Sequence, residues 1–105
     1  MSELIRKSAA ELAELLRSKD VSSVEVTKAH LERSDEVDAS VHSYLYQSPE
    51  AALIAAAEID RRRAAGESLH PLAGVPIAVK DNLATTDAPT TAGSKMLEGY
   101  RSPFD

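Results

Sequence analysis

The chain has 105 residues, 28% charged and 43% apolar, a balance that suits one small globular segment and excludes a disordered tail. A net charge of −5 argues against a nucleic-acid surface. With no cysteine, disulfides, thiolate catalysis and cysteine-ligated zinc are excluded, and with 4% aromatics any core must be built from Leu, Ile, Val and Ala.

Met1–Lys7 lacks the apolar segment of an export signal, and no window approaches the ~20 apolar residues of a membrane span. A cytoplasmic protein with no membrane partner is the expectation. Ser8 with Glu11 three residues on has capping-box spacing and predicts a helix over about 8–18, with Ala9, Leu12, Leu15 and Leu16 as its apolar stripe. Ser22 with Glu25 repeats the device and predicts a second helix over about 22–37, its inner face marked by Val24, Thr27 and Leu31. The short link at Ser18–Asp20 implies a helical hairpin. Val41–Tyr46 alternates and is rich in β-formers, so it reads as a short edge strand or an extended connector.

Ser48, Pro49 and Glu50 place a cap, a proline at the first helical position and an acid at the positive dipole end, predicting a third helix over about 48–65. Gly66 is its natural terminator. Glu58 and Arg62 have the spacing of an outer-face ion pair, and Arg61-Arg62-Arg63 beside Glu58 and Asp60 reads as a solvated face. His30, His42 and His70 are scattered and match no metal-ligand spacing. A short helix is expected at Ser94–Leu97.

Gly74–Asn82 holds the one convincing strand, at about 75–80, opened by Gly and Pro and closed by Lys80, Asp81 and Asn82. Apolar residues on both sides of it are the pattern of a covered α/β strand, and in open α/β sheets the chemistry sits at the carboxyl ends of strands. A lysine that ends a strand is, taken alone, most often a surface residue. At a dry end it is favoured in its neutral form and can act as a general base or form a Schiff base, and the polar residues that follow Lys80 give weight to that second reading. Nothing else in the chain offers this strand a buried neighbour, and Asp105 is a helix cap with no helix after it. A segment of a larger α/β protein, or a chain completed by a partner, is therefore expected.

Leu72–Asn82 and Thr90–Leu97, with Ser8–Leu12, Val21–Thr27 and Val41–Leu45 upstream, resemble the amino-terminal part of the amidase signature family. The resemblance implies an α/β fold in which a helical segment leads into the first core strand of the amidase-signature sheet, with residues 1–105 as the amino-terminal part of one domain, incomplete on its own. It also implies a serine–serine–lysine triad with Lys80 as base. Both serines lie downstream in the family, in a glycine- and serine-rich segment that has no counterpart here. Ser94 is a loop or cap hydroxyl rather than a substitute nucleophile, no Ser-x-x-Lys motif occurs, and the segment alone is expected to be inactive.

Gly93–Glu98 and Ser102–Asp105 most resemble the glutamine-hydrolysing branch of the family. Members of that branch work with the other subunits of an amidotransferase complex. The resemblance implies that glutamine supplies ammonia, that ATP and Mg are used at a partner subunit, that tRNA is held mainly by that partner, and that this chain itself binds no cofactor or metal. A general amide hydrolase of the same family and a non-catalytic helical interaction module are the competing readings.

Overall fold

The computed structural model describes residues 3–105, so Met1 and Ser2 of the amino-terminal stretch lie outside the described residues. A 3-10 turn at Leu4–Arg6 precedes three helices, α1 (Ala9–Arg17), α2 (Ser23–Val41) and α3 (Pro49–Ala64), and a second 3-10 turn lies at Lys95–Leu97. The chain forms two compact units. One runs through Val41 and includes Ser48–Pro76; the other comprises His42–Gln47 and Ile77–Asp105.

The helix starts follow from local chemistry. Ser8 Oγ accepts from Glu11 N at 3.1 Å while Ser8 N donates to the Glu11 carboxylate at 2.8 Å. Ser22 and Glu25 repeat this reciprocal pair at 3.1 Å in both directions. Each box satisfies two amides that the helix itself leaves without partners. The helix ends are equally local. After α3, Gly66 takes φ +83°, its N–H donates to Arg63 O and Glu67 N donates to Arg62 O, which is a Schellman closure. The same closure ends α1, but there Lys19, not glycine, occupies the left-handed position at φ +65°.

The core of the first unit is Leu4, Leu12, Leu16, Val26 and Ala29, with Ile5, Leu15, Val21 and Val75 packed against it. Leu12 and Leu16 come from the stripe read on α1, whereas Ala9 is exposed. On α2 the buried set is Ser23, Val26, Thr27 and Ala29, rotated from the expected face; Val24 and Leu31 are only half-buried. On α3 only Ala56 is buried, and Ile54 is 71% exposed.

Asp60 on α3 decides how α2 meets α3. Its carboxylate accepts from Ser23 N at 2.7 Å and from Val24 N at 3.0 Å, so one helix supplies an anionic cap to the first amides of another. Ser23 Oγ in turn donates to Gly74 O at 2.7 Å, and Arg63 Nη2 donates to Ala73 O at 2.9 Å. The turn closed by Val75 N donating to Leu72 O is thereby held against α2 and α3.

Three expectations are corrected. The α/β expectation is not met among the described residues, which are helical and irregular: residues 75–80 form no strand. The physical reason is that a strand exists only as a member of a ladder, and no described segment pairs with this one. Ile77 and Val79 are 84% and 51% exposed, where a covered strand was expected. Second, of the two readings of Val41–Tyr46 the edge strand is not met: Val41 closes α2, and residues 42–46 are an irregular connector that opens with His42 at φ +57°. Third, the arginine run does not act as one face. Arg61 pairs with Glu58, Arg62 with Glu67, and Arg63 turns inward to Ala73 O. The Glu58–Arg62 pair read from spacing gives way to a pair between Glu58 and the arginine one position earlier.

Candidate functional site

The second unit carries Lys80 and the polar residues after it. Lys80 O accepts from Leu83 N at 3.0 Å, closing a turn over residues 80–83 immediately after the apolar run. The Lys80 side chain is exposed, and no carboxylate among the described residues is in ion-pair range of it. The dry surroundings expected for this lysine are thus not supplied by the described residues.

Asp81 is the best-connected side chain of the unit. Its carboxylate accepts from Thr91 N at 2.8 Å, from Thr91 Oγ1 through a short hydrogen bond, and from Gly93 N at 3.4 Å. Its backbone O accepts from Ala92 N at 2.9 Å. Hydrogen bonding to the Thr91 hydroxyl, then to the Thr91 amide, holds the Asp81 carboxyl below the ordinary aspartate range, because each donor favours the ionised form. The loop can meet Asp81 this way because it turns back on itself: Ala92 and Gly93 both take positive φ, +51° and +73°. Such φ values aim successive amides to one side.

Ser94 ends that loop. Its N–H donates to Thr91 O at 2.8 Å and its Oγ accepts from Met96 N at 3.2 Å, so it caps the 3-10 turn at Lys95–Leu97. A hydroxyl used as a cap is the role expected of Ser94 from sequence. Thr90 N donates to Tyr100 O, Thr86 N donates to the Asp105 carboxylate at 2.8 Å, and the Arg101 guanidinium lies 5.9 Å over the Tyr46 ring. These contacts close the unit on itself without regular secondary structure beyond the 3-10 turn.

Among the described residues no group of three or more His, Asp or Glu side chains could hold a metal ion, and no helix is long and apolar enough to cross a membrane. Sequence reasoning singled out Lys80 and gave Asp81 only a general polar role. The signal it could have used is Thr91-Ala92-Gly93: a hydroxyl and a flexible amide ten to twelve residues after an aspartate in a loop.

Comparison with known proteins defines the class. The family model described as Amidase matches residues 25–105, and the chain belongs to the amidase family. Over 99% of its length it is 57% identical to the glutamyl-tRNA(Gln) amidotransferase A subunit of Paenarthrobacter aurescens (strain TC1), covering 21% of that protein. It is 53% identical, over its whole length, to the same-named protein of Acidothermus cellulolyticus and 56% identical to that of Corynebacterium glutamicum (strain R), again covering 21% of each. The chain therefore spans about one fifth of the length of these curated relatives. No solved structure matches it.

Proposed function

We propose that this chain is the lysine-bearing segment of the glutamine-hydrolysing component of a glutamyl-tRNA(Gln) amidotransferase. The observation that carries the reading is identity of 53–57% across essentially the whole chain to A subunits of that enzyme. In this reading Lys80 is the general base. Its amine takes the proton of a bridging serine, which takes the proton of a nucleophilic serine, both supplied by polypeptide outside this segment. The nucleophile's oxygen bonds to the side-chain amide carbon of glutamine, the C–N bond breaks, and ammonia leaves with a proton returned along the same relay. In this reading Mg and ATP belong to a partner subunit that consumes the ammonia on tRNA-bound glutamate, and no step at Lys80 runs through them.

The same reading accounts for the missing strand. In the longer cytoplasmic polypeptide, residues 75–80 join an α/β sheet whose other strands lie outside this segment, and that sheet supplies the dry wall around Lys80. The test is ammonia release from glutamine by the complete enzyme with all its subunits. Lys80→Met is expected to lower kcat by at least about a thousandfold, the scale seen when one member of a catalytic unit is lost. A Lys80→Met enzyme with undiminished turnover would overturn the assignment.

A further inference from the structure

We propose that Asp81 is a positioning residue for Lys80, holding the lysine-bearing turn in place by clasping the Thr91–Gly93 loop. The inference rests on the reading of Lys80 as the base. The structure supplies its geometry. Lys80 begins the turn closed by Leu83 N on Lys80 O, and Asp81 is the second residue of that turn. From that one residue four hydrogen bonds reach across to the loop: three into the carboxylate, from Thr91 N, Thr91 Oγ1 and Gly93 N, and one into the backbone carbonyl, from Ala92 N. Main chain and side chain of Asp81 are thus fixed together, which leaves the peptide linking it to Lys80 little freedom to rotate.

The clasp has a second chemical effect. A carboxylate next in sequence to a lysine base is a hazard, because an ion pair between them would favour the charged amine and disable it as a proton acceptor. Here both carboxylate oxygens are engaged by loop donors: Oδ1 by Thr91 N, and Oδ2 by Thr91 Oγ1 and Gly93 N. The Thr91 hydroxyl also accepts from Gly93 N at 3.1 Å, so it completes a small closed network. Serine at position 91 could keep the hydroxyl in this network; valine could not. Asparagine at position 81 keeps the shape but loses the charge and presents an amide to a loop built of donors.

The experiment uses the complete enzyme, with glutamine as substrate and ammonia as the readout. Asp81→Asn is expected to lower kcat about tenfold or more with KM within about twofold, since the group acts on the base and not on substrate binding. Amide exchange at Thr91 and Gly93 should accelerate in the same variant. Thr91→Val should lose kcat in the same direction, Thr91→Ser should restore most of it, and the Asp81→Asn/Thr91→Val double variant should be little worse than Asp81→Asn, because the two residues act as one unit. If Asp81→Asn does not fold, the Thr91→Val and Thr91→Ser pair decides the question. A folded Asp81→Asn enzyme with normal kcat, a loss confined to KM, or a Thr91→Ser variant as impaired as Thr91→Val would overturn the proposal. Lys80→Met separates the two levels: if it is inactive while Asp81→Asn is normal, only the positioning role fails; if it is active, the reading of Lys80 fails and the positioning role with it.

Discussion

At the scale of single residues, two side chains carry measurable consequences. Asp81 is held below the ordinary carboxylate range first by the Thr91 hydroxyl and then by the Thr91 amide. A depressed folded-state value means that its contribution is complete above the ordinary aspartate value of 3.8 and is lost as pH falls through the folded value. The Asp81 carboxyl carbon and the Thr91 amide proton should therefore titrate together by NMR with a midpoint below 3.8. A midpoint at or above it would show that the clasp does not persist in solution. Lys19 is the other case. It occupies the left-handed closing position of α1 at φ +65°, where a β-carbon is unfavourable. Lys19→Gly is expected to stabilise the chain by about 0.5–1 kcal/mol, the relief being partly offset by glycine's greater freedom when unfolded. A higher urea midpoint at unchanged slope is the expected result.

At the scale of elements, the helices were legible because their ends are written in adjacent residues. Ser8 with Glu11, Ser22 with Glu25, Pro49 and Gly66 each act within a turn or two, so spacing alone reveals them, whereas Ser48 holds the N-cap position of α3 without the side-chain hydrogen bond expected of a cap. The role of Asp60 was not legible, since its partners Ser23 and Val24 lie on another helix and nothing in the spacing links them. The rotation of the α2 face has the same origin: Ser23 faces inward because Gly74 O and the Asp60 cap hold it there, against its own polarity. Asp60→Ala should cost about 1–2 kcal/mol, as loss of a helix cap does, with Asp60→Asn costing less. Gly74→Ala should cost about 1–3 kcal/mol in the same unfolding measurement. Its φ is +93°, and an added Cβ would lie 3.1 Å from Ser23 Oγ and 3.2 Å from Ile59 Cγ2.

At the scale of the whole molecule, the sequence pattern and the structure part company over residues 75–80. The apolar run is real, but periodicity reports only what a segment could bury, and a ladder needs a second segment. In this chain alone the amides of Ile77, Ala78 and Val79 should exchange with solvent at nearly the rate of an unstructured peptide. In the complete enzyme they should be protected by at least about a hundredfold, as sheet amides are. Equal, fast exchange in both would remove the sheet from the proposed function. A final consequence concerns synthesis. The Ser22–Glu25 box is finished as soon as Glu25 leaves the ribosome, yet the anion that seals the Ser23 amide lies 37 residues beyond that serine. For that stretch of translation α2 is a nascent helix with an open donor pair at its leading end, and the arrival of α3 is what shuts it.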